Sequence, residues 1–224
     1  MRKQKLVTDN IYHIFNRGVE KRHIFMDEHD YLRFVNNLAI FNNTRPVLNA
    51  KYRVKEIEKL DSRKPFVDVL AFCLMPNHYH LLLKQKEGNG ISKFMNKIGV
   101  GYANYFNLKY KRVGSLFQGT FKAVLVEKES QFLYIPYYIH LNPLDLIVKD
   151  WRQNGIDKLK PAINFLDSYK WSSHCDYAGK SNFTGILNMH PLNEFFVNPE
   201  NYKKDFKNFM KDFNFSNMTD LLLD

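Results

Sequence analysis

One stretch constrains this chain more than any other: Val69-Leu70-Ala71-Phe72-Cys73-Leu74-Met75-Pro76-Asn77-His78-Tyr79-His80-Leu81-Leu82-Leu83-Lys84. Two runs of strand formers flank Pro-Asn, a turn signal, so the segment predicts a hairpin with arms from about Phe66 to Leu74 and from His78 to Gln85. Side chains alternate faces along a strand, so His78 and His80 project together while Tyr79 points away. Two imidazoles held that close suit one divalent metal better than a hydrophobic core. A His-x-His triplet also occurs in ordinary packing, so its weight comes from the rest of the chain.

The surrounding pattern predicts a small α+β domain. Asn10 to Arg17 alternates and reads as a first strand, stopped at Gly18. Asp27 to Phe41 carries apolar residues at three- and four-residue spacing behind an acidic first turn, which predicts a helix. Residues 42–65 are polar and charged, and read as a loop with at most one short helix. Beyond the hairpin, Ile91 to Tyr110 predicts a second helix, Phe121 to Val126 a fourth strand and Ser130 to His140 a third helix. The order β-α-β-β-α-β-α is the split βαβ, ferredoxin-like arrangement with an antiparallel sheet. Residues 151–224 read as a helical C-terminal extension to a domain spanning 1–150.

Charge separates the same two regions. The net charge is +10, and residues 1–150 hold 24 Lys and Arg against 14 Asp and Glu. Residues 151–224 hold nine of each sign, so the entire excess lies with the histidine pair. A basic surface attracts phosphate polymers or anionic membranes. The chain lacks a lipidation signal and any apolar run of membrane-spanning length, so nucleic acid is the expected partner. The two cysteines, Cys73 and Cys175, stand far apart without metal spacing, and the first residues lack an apolar leader. A cytoplasmic, nucleoid-associated protein is the expectation.

A second stretch carries candidate chemistry: Tyr134-Ile135-Pro136-Tyr137-Tyr138-Ile139-His140-Leu141-Asn142-Pro143. Tyr138 and Asn142 are four residues apart, so a helix stacks them on one face. Pro143 places Asn142 at or near the helix end. An amide oxygen is a suitable hard ligand for Mg²⁺ or Mn²⁺, and the phenol could attack a phosphorus whose oxygen such a cation polarises. Most buried tyrosines only pack, which is the expected fate of the neighbouring aromatics.

Five blocks together carry a resemblance. They are Tyr12-His13-Ile14-Phe15-Asn16-Arg17-Gly18, Met75-Pro76-Asn77-His78-Tyr79-His80, Gly114 to Lys122, Tyr138-Ile139-His140-Leu141-Asn142-Pro143 and Trp171-Ser172-Ser173. In this order the chain resembles the single-tyrosine HUH transposases, specifically the REP-associated tyrosine transposases of bacteria. The resemblance implies an HUH nuclease fold, with His78 and His80 as divalent-metal ligands, Tyr138 as nucleophile and Asn142 as a further metal ligand. It also implies a single-stranded DNA substrate with hairpin-forming palindromes, cleaved through a 5′-phosphotyrosine link that a 3′-hydroxyl can reverse. The neighbouring Tyr137 is about 100° away around the helix and fits the Asn142 offset less well.

DNA contacts are expected from the basic excess and from aromatics. Candidates are Arg17, Lys21, Arg22, Lys97, Arg112 and Lys122 for phosphates, Phe117 for stacking on an unpaired base, and Gln118 for a base edge. Two other functions fit the same residues: a hairpin-binding regulator that no longer cuts, and a metallohydrolase that uses water as nucleophile. The oligomeric state, monomer or homodimer, is not legible.

Overall fold

The computed structural model describes residues 5–44 and 64–212. The expected loop at 42–65 and the end of the expected C-terminal helix therefore lie largely outside the described residues.

The elements follow the predicted order. Strand β1 is Ile11–Arg17, α1 Glu28–Ile40, β2 Val67–Met75 and β3 His78–Gln85. Helix α2 is Gly90–Lys109, β4 Lys122–Val126 and α3 Glu129–Leu141, which runs into a 3₁₀ turn at Asn142–Leu146. The extension adds α4 (Trp151–Asn154), α5 (Leu159–Ser168), α6 (His174–Tyr177), α7 (His190–Phe196) and α8 (Pro199–Lys211). The four strands pair in the order β2-β3-β1-β4, every pair antiparallel. That order is what two interleaved β-α-β units produce, and it places β1 and β3 side by side in the centre.

Alternation along the central strands divides two cores. Tyr12 and Ile14 of β1, with Tyr79, Leu81 and Leu83 of β3, face α1 and α2. Asp27 caps α1 by accepting from the Asp30 amide at 3.1 Å, a contact worth about 1 kcal/mol. Register pairs His13 with Leu82, Phe15 with His80 and Arg17 with His78, so these six side chains share the opposite face. A bulge at Leu70 shifts the phase of β2, bringing Leu70, Ala71, Cys73 and Met75 to that second face.

Helix α3 and the extension cover the second face. Ile135, Tyr138 and Leu141 pack there with Trp151, Leu166, Leu192 and Tyr202 in one core. The extension also lies along the outer edge of β2, where the Leu74 amide donates to Trp171 and the Asn188 amide donates to Val69. An exposed strand edge invites pairing with other chains, and these contacts close this one. Residues 151–212 thus complete the core of the sheet.

Candidate functional site

The hairpin turn places the histidine pair. Pro76-Asn77 reverses the chain, and the loop after β1 folds against it. The Gly18 amide donates to Asn77, while the Ile24 and Phe25 amides donate to Pro76. Gly18 allows this approach, since a Cβ there would meet the Arg22 carbonyl oxygen at 2.3 Å. His78 and His80 then project to one face with ring centres 5.0 Å apart.

Hydrogen bonds orient both rings. Nδ1 of His78 lies 2.6 Å from Asn77 Oδ1, an acceptor only, so Nδ1 carries the proton and Nε2 the lone pair. His80 is buried, and its Nδ1 lies 2.9 Å from Nε2 of His13. Its Nε2 has no hydrogen-bond partner among the described residues. Burial pushes the His80 imidazole well below its ordinary pKa, and His78, His13, Arg152 and Arg17 push the same way. A neutral imidazole with one nitrogen anchored and one unused has the arrangement of a metal ligand with its orienting partner. The residues present fit a divalent cation in that respect. Among the described residues, however, no group of three or more His, Cys, Asp or Glu forms a metal-binding cluster.

Helix α3 brings Tyr138 to the same place. Its ring centre is 6.0 Å from that of His80 and 6.1 Å from that of His13, edge-on to both. Tyr137 turns the other way, into the rings of Phe196, Tyr202, Phe206 and Phe209. Of the two adjacent tyrosines, Tyr138 is therefore the one beside the histidines. It lines a cleft of about 530 Å³ together with His78, Arg17, Lys21, His23 and Arg152.

Asn142 lies one turn below Tyr138, but its carboxamide is engaged. Its nitrogen donates to the Tyr138 carbonyl at 2.9 Å, and its oxygen accepts from Arg152 at 2.9 Å. The expectation of an amide oxygen offered to a cation thus meets a competing donor. Pro143 does not end the helical geometry at Asn142, which keeps φ −50° and ψ −37° and leads into the 3₁₀ turn.

The expected DNA-contact residues divide. Arg17 and Lys21 line the cleft, and Lys122 reaches over the Phe15 ring that stacks on His80. Gln118 is exposed, with its amide donating to Arg17. Arg22 is half-buried beside that loop and pairs with Glu20 at 3.7 Å. Three others do not line the cleft. Phe117 is buried against Tyr79 and Tyr102. Lys97 is at the other end of the sheet, donating to Asn43 at 2.8 Å and lying over Phe66. Arg112 donates to Asn107 and covers Phe106 at the end of α2.

Sequence reasoning missed His13, Asn77, His23 and Arg152. His13 was within reach, because it alternates with Phe15 and Arg17 on β1, but only the register with β3 brings it to His80. Nothing in the sequence ties Arg152 to the site.

A split βαβ antiparallel sheet with paired histidines on a central strand has the layout of the HUH nuclease fold. The chain belongs to the IS200-like transposases: a family model described as "Transposase IS200 like" matches residues 7–142. Among solved structures, it is similar to a REP-associated tyrosine transposase bound to a REP hairpin. That likeness has a TM-score of 0.51 at 11% identity, covering 81% of this chain and 86% of the other, and it speaks for the fold. No curated protein shows detectable similarity to this chain. No helix among the described residues is long and apolar enough to cross a membrane.

Proposed function

We propose that this protein is a single-tyrosine strand transferase of the REP-associated kind, cutting single-stranded DNA beside a hairpin and holding the cut end on Tyr138. The observation that carries this reading is the Tyr138 ring 6.0 Å from His80 on the wall of a cleft that also holds His78, Arg17 and Lys21. His78 and His80 would hold Mg²⁺ or Mn²⁺ through their Nε2 atoms, His80 in the tautomer whose Nδ1–H donates to His13. Such a cation supplies charge neutralisation at a phosphate oxygen, which favours in-line attack.

The chain's own residues do the rest. Arg17 and Lys21 draw the DNA backbone into the cleft and fix its register. Tyr138 Oη forms the bond to phosphorus, leaving a 5′-phosphotyrosine and a free 3′-hydroxyl. The link conserves the phosphodiester, so a second 3′-hydroxyl can displace the tyrosine and join strands without ATP. Asn142 links Tyr138 to Arg152, and the second lone pair of its amide oxygen would serve as the further metal ligand.

The test is incubation of the full chain with a pool of single-stranded hairpins and Mn²⁺, followed by recovery of DNA bound covalently. The reading expects an adduct with the wild type and none with Tyr138→Phe. Hairpin binding without any nicking selects the non-cleaving regulator. A cut without protein linkage, insensitive to Tyr138→Phe, selects the water-using hydrolase.

A further inference from the structure

One charged side chain of the cleft, Arg152, has no chemical role in that account. Arg152 comes from the extension, and its guanidinium is built into place. It donates to Asp145 and, at 2.9 Å, to Asn142 Oδ1, and its charge lies against the Tyr138 ring. Its central carbon lies 5.7 Å from the Tyr138 ring centre and 4.6 Å from that of Trp151. Trp151 is fully buried and donates its indole N–H to the same Asp145 oxygen at 2.6 Å. Burial opposes the charge on Arg152, but the phenol and Asp145 raise it above its ordinary pKa. A buried tryptophan, a carboxylate and an amide therefore converge to hold one cation against one phenol. Asp145 alone would satisfy the ion pair, so the contact with Tyr138 is an addition.

We propose that Arg152 is a positioning residue for strand transfer: it holds the Tyr138 phenol in place and offsets the negative charge on its oxygen during attack and departure. The proposal rests on the reading of Tyr138 given above. In the forward step the Oη–P bond forms and the P–O3′ bond breaks. The phenolic proton passes to water and the departing 3′-oxygen takes one up, so protons balance and no electrons are exchanged. In the reverse step an incoming 3′-hydroxyl displaces Oη, and the same guanidinium meets the leaving phenolate. A hydrogen bond from a cation is roughly twice as strong as a neutral one, and a preorganised donor at a developing charge is worth about 10²–10³ in rate. The extension would then be needed for chemistry as well as for the core, because it carries Arg152.

An arginine in this cleft has two other possible uses, as a phosphate anchor or as a structural tie, and the experiment separates them. Full-length wild type, Arg152→Met, Arg152→Lys, Asp145→Asn and Tyr138→Phe are compared on the best-bound hairpin from the pool, with Mn²⁺. Three quantities are read: first-turnover adduct rate at saturating DNA, hairpin affinity against salt, and melting temperature. Arg152→Met should lose about 10²-fold in rate, with affinity and its salt slope unchanged. Arg152→Lys should recover a large part of that loss, and Asp145→Asn should fall between. An unchanged rate in Arg152→Met overturns the proposal. So does a loss confined to affinity with a salt slope smaller by about one, the mark of a phosphate contact. Equal losses in the Met and Lys variants with a lowered melting temperature would reduce Arg152 to a structural tie. A wild type without adduct, or an adduct in Tyr138→Phe, ends the Tyr138 reading itself, and is seen before any Arg152 variant is measured.

Discussion

The protein buries two groups of histidines on the same side of its sheet, and their hydrogen bonding differs. In the first group, around His140 and His174, every ring nitrogen has a partner. Asp167 can only accept, so His174 donates to it through Nε2 at 2.9 Å and accepts from Tyr202 through Nδ1 at 2.8 Å. Tyr202 in turn accepts from His140 Nδ1 at 2.7 Å, and His140 Nε2 accepts from Ser173 at 2.7 Å. The direction of one bond sets all the others, and the chain closes without an orphan. In the second group, His80 is equally buried, yet its Nε2 is left without a partner among the described residues. A satisfied buried network rigidifies a core, while an unsatisfied polar atom in a native structure calls for a functional explanation. The first group joins α3 to the extension, and the second faces the cleft.

Exchanging the damage between the groups is the strongest way to break this comparison. His78→Ala, at a half-buried position on the cleft, should abolish Mn²⁺-dependent adduct formation and move stability by less than about 0.5 kcal/mol. His174→Ala should do the reverse. It strands Tyr202 and Asp167 and opens a cavity, costing about 3 kcal/mol and roughly 10 °C in melting temperature. Thermal melts and adduct gels on both variants check the pair. Equal loss of stability in the two would erase the distinction.

Acid should reveal the same network. Burial holds both His140 and His174 below the ordinary imidazole pKa; the like charge of His174 adds to this at His140, and Asp167 partly opposes it at His174. Their folded values are depressed, so the neutral forms stabilise the fold fully above the unfolded value of about 6.5. That contribution is lost as pH falls below 6.5 toward the folded values, by at most about 1.4 kcal/mol per pH unit for each histidine. Urea midpoints from pH 8 to pH 5 should decline in the wild type and decline less steeply in His174→Ala. Parallel profiles would contradict the assignment.

A smaller effect separates the cleft from the remainder of the basic surface. Lys21→Ala should weaken hairpin binding and lower the salt slope by about one, whereas Lys97→Ala should change neither. Titrations at several salt concentrations measure both.

Much of the fold was legible because its signals are local. The predicted hairpin arms, the three helices and the fourth strand fall within a residue or two of their observed bounds, since period-2 and period-3.6 patterns fix them. The juxtaposition of His78 and His80 followed from the same alternation. A Gly-Ser-Leu-Phe-Gln-Gly loop reads as exposed, while beside the Gly18–Phe117 bridge the Phe117 ring joins the first core. Lys97 and Arg112 do not line the cleft, and charge alone does not say which end of a sheet a residue in or beyond a helix reaches. His13 and Arg152 depend on pairing register and on the path of the extension, and both are long-range properties. For Arg152 the distance along the chain is small, only ten residues beyond Asn142, but a left-handed Asp150 at φ 53° and the buried Trp151 are needed to turn it back.

The central claim is that the phenol beside the histidines is the group that takes the DNA. The direct measurement is peptide mass spectrometry after reaction with hairpin DNA and Mn²⁺ and exhaustive nuclease digestion. The account predicts a nucleotide remnant on the peptide containing Tyr138, located at Tyr138 by fragmentation. A remnant on Tyr137, or cut DNA with unmodified protein, would contradict it.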